Sequence, residues 1–230
     1  GGVVMGIIYN PRIVTDGLVL CLDAASKRSY PGTGTTWTDL AGSNNGTLVN
    51  GTTFDADNGG SIVFDGTDDK ATFTFDVTSI KSYEIWTNAV AASDASAGHA
   101  YLLHNNGTDN TTGNSYVTIG IQPTQKYYAA FSGGWSSMNT GVTASNSNIV
   151  QIVLSWEGNY QKVYINSEFK IQGYLTTNSK TSHATTSIAG YRNSDFRNME
   201  GGVYSIKAYN RALTADEIRQ NYLATKGRYK

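Results

Sequence analysis

The chain is poor in charge. Only 15% of its 230 residues are charged, against a typical share of roughly 25%. Its 17 basic and 18 acidic residues leave a formal net charge of −1. Because there is no basic excess to neutralise phosphates, the composition argues against a nucleic-acid-binding protein. There is no acidic excess either, and the 15 tyrosines can help to build a core. The composition therefore also argues against a disordered chain.

Cysteine and long apolar runs are scarce as well. The single cysteine, Cys21, cannot form an internal disulfide, and its apolar neighbours predict a buried, inert thiol. The longest apolar run, residues 3–8, is far shorter than the ~20 residues of a membrane-spanning helix, so we expect no membrane insertion. It also lacks the basic start and cleavage site of a signal peptide.

What the chain does have is short runs that alternate between polar and β-branched or aromatic residues, the pattern of half-buried strands. The runs are 61–65, 70–75, 82–87, 115–121, 126–131, 149–156, 160–166, 185–189 and 202–209. Gly158-Asn159 between two of them predicts a tight hairpin. In the 149–156 run the alternation places Ile152, Leu154 and Trp156 on one face, predicted to be the core. Without interleaved helices, these strands predict an all-β, two-sheet antiparallel sandwich.

One short α-helix is predicted at the C-terminus. Thr214 and Glu217 form the T-x-x-E pattern of a capping box, in which each side chain accepts a hydrogen bond from the other residue's backbone N–H. Leu213 and Ile218 are spaced as a hydrophobic staple. We expect this helix to pack at the edge or rim of the sandwich.

No linker divides the chain. Residues 1–14 are less periodic and predict an N-terminal arm, followed by one domain over residues 15–230.

Two motifs in the sequence resemble those of a known protein family. They are W-x-D-L-x-G at 37–42 with N-G-T at 45–47, and Y-N-R-A-L-T at 209–214 with E-I at 217–218. In these the chain resembles the laminin-G-like, concanavalin-A-like jelly-roll domains of phage and bacterial surface proteins, from about residue 13 to 226. The resemblance implies a two-sheet jelly roll that serves as a binding or structural module.

The opening of the domain, residues 10–20, looks most like versions from tailed-phage virions. This implies a non-enzymatic virion structural protein, a capsid decoration, tail or fibre component that contributes to adhesion to host-surface glycans. The expected partners are other virion proteins and copies of the chain itself, contacted through residues 1–14. The expected location is the virion, assembled in the host cytoplasm. The alternative is a free carbohydrate-binding, lectin-like module, and a third hypothesis is a glycan hydrolase.

The sequence lacks the carboxylate pattern that the hydrolase hypothesis requires. Hydrolases that share this fold place carboxylates in an E-x-D-x-x-E pattern, which is not found in this sequence. Glu84 is alone in its strand, and we expect it to face solvent. No histidine has the spacing of a metal site or a catalytic relay. We therefore predict a protein without enzymatic activity.

Calcium is the one cofactor with a candidate site. Asp65, Asp68 and Asp69 lie in a short acidic turn between two predicted strands, and calcium prefers such oxygen ligands. The alternative is that these residues only make the turn, with side chains bonded to local N–H groups.

Glycan contacts have two candidate places. Trp135 lies in a Gly/Ser-rich loop, where a bulky ring would suit stacking on a sugar; the alternative is that it packs on the core or an interface. Tyr191, Arg192 and Asn193 combine an aromatic ring with polar donors in a second loop.

Overall fold

A computed structural model describes residues 11–74, 77–92, 99–105, 117–131, 138–174, 185–190 and 197–229. Within these residues the chain forms two antiparallel sheets, which confirms the predicted all-β sandwich. Each predicted run coincides, in its described part, with a strand.

The first sheet has nine strands in the described residues: β1 (Leu18–Asp23), β4 (Thr53–Asp55), β5 (Ser61–Asp65), β7 (Ser82–Thr87), β8 (Val90–Ala91), β13 (Val150–Glu157), β14 (Tyr160–Ile165), β15 (Glu168–Tyr174) and β17 (Met199–Tyr209). Their order is β15-β14-β13-β7-β17-β5-β4, with β1 and β8 also paired to β17.

The second sheet has eight strands in the described residues: β2 (Thr36–Trp37), β3 (Gly46–Val49), β6 (Lys70–Thr74), β9 (Ala100–Asn105), β10 (Val117–Ile121), β11 (Lys126–Phe131), β12 (Met138–Thr143) and β16 (Thr185–Ile188). Their order is β12-β11-β10-β9-β16-β6-β3-β2. No helix among the described residues is long and apolar enough to cross a membrane.

The core lies between the sheets and follows the alternation of the strands. Ile152, Leu154 and Trp156 are buried in it together, as predicted. The hairpin between β13 and β14 also forms where expected, and Gly158 at its tip has a φ of 56°, a value that glycine adopts without a steric cost. Cys21 is buried, as predicted, and burial raises the pKa of its thiol to about 11.

The C-terminal helix α1 spans Ala215–Thr225, and its predicted capping box is present. The Thr214 hydroxyl accepts from the Glu217 N–H at 3.3 Å, and Glu217 Oε2 accepts from the Thr214 N–H at 2.9 Å. Arg211 also donates to Glu217, which lowers the pKa of that carboxyl to about 2. The staple residues Leu213 and Ile218 share one apolar cluster.

Helix α1 lies over the outer face of the nine-stranded sheet and not at an edge of the sandwich. Ile218 packs with Val153 of β13 and Tyr209 of β17, and the ring of Tyr222 stacks on Trp86 of β7 with centroids 5.7 Å apart. Because of this cover, β13 is buried on both faces along Val150–Trp156 and is not the half-buried strand that its alternation predicts.

The helix also holds the described end of the predicted arm. Asn221 Oδ1 accepts from the Val14 N–H at 2.7 Å, and Gln220 donates to the Arg12 carbonyl at 2.7 Å. Residues 11–14 therefore lie against the chain's own helix, while residues 1–10 are outside the described range.

The predicted exposure of Glu84 is wrong. Its side chain is completely buried beneath α1, where Oε1 accepts from Lys207 Nζ at 2.9 Å and from Trp86 Nε1 at 3.2 Å. Oε2 accepts from Asn221 Nδ2 of the helix at 2.7 Å. Burial by itself lowers the pKa of the Lys207 ammonium, but Glu84 together with Tyr209, Tyr229 and Cys21 outweighs burial and raises that pKa. Glu84 is thus a structural ion-pair partner and not a surface residue.

Candidate functional site

The ligand candidates from the sequence lie outside the described residues. This holds for Trp135 in its Gly/Ser-rich loop and for Tyr191, Arg192 and Asn193 in the second loop. Their roles in glycan binding therefore stay predictions.

The acidic turn, in contrast, brings its three candidates together. Carboxylate oxygens of Asp65, Asp68 and Asp69 all lie within 4.8 Å of one another. The local hydrogen bonds of the alternative interpretation are present as well: Asp69 Oδ2 accepts from the Asp65 N–H at 3.1 Å, and Asp65 Oδ1 accepts from the Thr67 N–H at 2.8 Å. Burial, together with the charges of Asp65 and Asp68, raises the pKa of Asp69 to about 6. The turn offers oxygen ligands of the type that calcium takes.

A different place on the molecule exposes aromatic rings to solvent. We call the four residues Tyr160 and Tyr164 of β14 and Phe169 and Tyr174 of β15 the aromatic strip. Three of them are half-exposed or more: Tyr160 at 50%, Phe169 at 55% and Tyr174 at 60%. Tyr164 is buried at 7% exposed and packs in the apolar cluster with Leu213 and Ile218. Among the described residues few other large apolar side chains are as open, and clustered exposed apolar surface marks a binding site.

Strand pairing groups these rings into two pairs. Tyr160 lies opposite Tyr174, with ring centroids 5.2 Å apart and ring planes at 67°. Tyr164 lies opposite Phe169, with centroids 5.7 Å apart and planes at 70°. Both are edge-to-face contacts, the arrangement favoured by aromatic quadrupoles.

The rings face away from the core because of the period-two geometry of β14. Val163 and Ile165 are core residues, so Tyr160, Lys162 and Tyr164 share the opposite face. Lys162 is opposite Gln172 in the register, which puts a polar pair between the two aromatic pairs.

A groove of about 730 Å³ runs beside the strip. Ser155, Glu157, Tyr160, Lys162, Tyr164 and Gln172 line it from the sheet, and residues 212–215 line it from the segment before α1. Two serine hydroxyls hold that segment in place. Ser155 Oγ donates to the Leu213 carbonyl at 3.2 Å, and Ser82 Oγ accepts from the Leu213 N–H at 2.9 Å.

The charges around the groove balance. Glu157 and Lys162 are its charged lining residues in the described part of the chain, and both are exposed. On the neighbouring β15, Lys170 pairs with Glu168 at 2.8 Å. The arrangement can stack flat apolar faces and donate or accept hydrogen bonds without attracting an ion of one sign.

The sequence alone does not predict this site. The 160–166 run predicts a strand, but no alternating run predicts β15, so Phe169 and Tyr174 have no assigned neighbours. One signal was available: in the Tyr160–Ile165 strand, tyrosines occupy the face opposite Val163 and Ile165, where polar residues are the norm.

Comparison with known proteins gives the family and the fold. The Laminin_G_3 family model, described as the concanavalin A-like lectin/glucanases superfamily, matches residues 65–219, about two thirds of the chain. A search of the curated proteins found no match.

Several solved structures share the fold at low sequence identity. Trypanosoma rangeli sialidase in complex with the inhibitor DANA has a TM-score of 0.68 and 15% identity, over 97% of this chain and 36% of the sialidase chain. Domain 4 of AbnA, a GH43 extracellular arabinanase from Geobacillus stearothermophilus, in complex with arabinotriose, has a TM-score of 0.64 and 15% identity, over 90% of this chain and 98% of that domain. The receptor binding domain of botulinum neurotoxin D has a TM-score of 0.65 and 13% identity, over 90% of this chain and 52% of that domain.

This chain therefore spans about a third of the sialidase chains that it matches. At 13–16% identity the likeness shows the fold and not the activity.

The comparisons correct the functional expectation drawn from residues 10–20. The prediction of a phage virion structural protein is wrong, because the structural neighbours are sialidases, a domain that holds arabinotriose and a receptor-binding domain. The physical reason for the error is that a jelly roll carries many functions, so a motif that identifies the fold does not identify the assembly in which it serves.

Proposed function

We propose that this chain, which belongs to the concanavalin A-like lectin/glucanases superfamily, is a non-catalytic carbohydrate-binding module. One observation carries the proposal. Exposed aromatic rings on two neighbouring strands stand beside a groove with polar and oppositely charged walls. Glycan sites commonly combine flat apolar platforms with a few polar groups that fix orientation.

Two features support the absence of catalysis. Glu157 is the one carboxylate among the described residues that line the groove, whereas most glycoside hydrolases use two across the scissile bond. Glu84, the other carboxylate considered from the sequence, is buried with Lys207 beneath α1 and cannot reach a sugar. We expect the chain to bind polysaccharides without releasing reducing sugar from them.

A glycan microarray of neutral and sialylated glycans, followed by titration calorimetry with the best-bound glycan, tests the proposal. Tyr160→Ala and Tyr174→Ala should each weaken binding by about 2- to 10-fold, the effect of losing about 0.5–1.5 kcal/mol of aromatic contact. Leu40→Ala is the matched control, because Leu40 is an exposed apolar residue that belongs neither to the groove nor to the aromatic strip. Unchanged affinity in both tyrosine variants would refute the site.

A further inference from the structure

We infer that the groove binds an extended, uncharged oligosaccharide chain that lies along β14 and β15, and not a single terminal sugar. The inference rests on the proposed function and specifies its ligand. Three observations carry it: the spacing of the aromatic pairs, the polar pair between them, and the balance of charge in the groove.

The spacing sets the length of the ligand. Tyr160 and Tyr164 are four residues apart on one strand, and at about 3.3 Å per residue their Cα atoms are about 13 Å apart. Their register partners on β15, Tyr174 and Phe169, are five residues apart, because the register shifts at a β-bulge between Val163 and Tyr164. One sugar ring can contact one aromatic pair at a time. In the second pair Phe169 is the exposed ring, since Tyr164 is buried. A ligand that contacts both the Tyr160–Tyr174 pair and Phe169 must therefore be a chain of several sugars that follows the strand direction.

The polar pair between the two aromatic pairs can bind the middle of such an oligosaccharide. Lys162 and Gln172 are opposite each other in the register, and both line the groove. The lysine ammonium donates hydrogen bonds, while the glutamine amide both donates and accepts. Sugar hydroxyls are themselves both donors and acceptors, so a sugar that bridges the platforms can satisfy both side chains.

The charge balance sets the chemical class. Glu157 and Lys162 contribute charges of opposite sign to the lining of the groove, and the nearby Lys170 is paired with Glu168. Anionic groups such as carboxylates are usually held by an arginine fork or a surplus of cations, and the described lining holds neither. The groove is therefore suited to neutral sugars.

The experiment is titration calorimetry with three neutral series, the arabino-, xylo- and cello-oligosaccharides, each from the monosaccharide to the hexasaccharide, and with sialyllactose. In a series that binds, we expect affinity to rise at least tenfold from the monosaccharide to the longest member. Phe169→Ala should weaken binding of the longest member by about 2- to 10-fold and leave that of the disaccharide unchanged, because a short ligand cannot contact both pairs.

Phe169→Leu separates stacking from folding, since it keeps apolar bulk but removes the flat ring, and Leu40→Ala is the control for a distant change. A monosaccharide that binds as tightly as the hexasaccharide would overturn the extended-chain inference while the proposed function stands. So would a Phe169→Ala effect that is the same at every length. Preferential binding of sialyllactose, weakened by salt, would overturn the neutral class. No binding to any of these sugars or on the microarray would instead overturn the proposed function itself.

Discussion

The buried pair of Glu84 and Lys207 gives a sharp test of how helix α1 is held on the sheet. In Lys207→Met, the Glu84 carboxylate stays buried and keeps its hydrogen bonds to Trp86 and Asn221 but loses its countercharge. Removal of one partner of a buried pair typically costs about 3–5 kcal/mol. A domain has a total stability of about 5–15 kcal/mol, so this loss would take a large part of it.

The double variant distinguishes an ion pair from simple packing. Glu84→Gln alone leaves the Lys207 ammonium buried without its countercharge and should also lower the free energy of unfolding by about 3–5 kcal/mol. When Glu84→Gln and Lys207→Met are combined, neither charge remains buried, and we expect the double variant to be clearly more stable than the sum of the two losses implies.

The measurement is urea unfolding of the four proteins, followed by far-UV circular dichroism and by tryptophan fluorescence, since Trp86 donates to Glu84. A double-mutant cycle then yields the coupling free energy. Strictly additive losses, or a cost below about 1 kcal/mol for Lys207→Met, would refute the argument that a desolvated charge pair joins helix and sheet.

Other features of the fold make smaller predictions. Thr214→Ala removes the N-cap of α1 and should cost about 0.5–2 kcal/mol in urea unfolding, and no measurable loss would contradict the cap. The pKa of the Asp69 carboxyl is raised to about 6 in the folded state, so protonation of this group stabilises the fold. The stabilisation is complete below the ordinary pKa of 3.8 and is lost as the pH rises through 6. The Tm of the wild type should therefore fall over that window relative to Asp69→Asn. If the acidic turn binds calcium, added calcium at pH 7 should raise the Tm of the wild type but not that of Asp69→Asn. An equal response of Asp69→Asn would contradict the site. Cys21, with its thiol pKa raised to about 11, should resist a thiol reagent at pH 8 until urea unfolds the chain, and rapid native labelling would contradict its burial.

The sequence was sufficient wherever the determining interactions are local. The alternation in Val150–Glu157 correctly placed Trp156 in the core, because side chains on a strand alternate faces whatever the rest of the chain does. The capping box at Thr214 was predictable for the same reason, since its two hydrogen bonds join residues three apart. The carboxylates of the acidic turn lie close together because Asp65 and Asp69 are only four residues apart, and calcium binding there stays a prediction.

Tertiary structure alone decided the burial of Glu84 and the existence of the groove. Glu84 is buried because Asn221, 137 residues later, lies on a helix that covers the outer face of β7. The alternation of residues within the strand does not indicate that a helix covers it. The aromatic strip depends on the register that puts Tyr174 opposite Tyr160, and the groove depends on the segment 212–215 being held against β13. Residues that are distant in sequence form these sites, so composition and period could identify the strands and the helix but not the surface that the strands and helix build together.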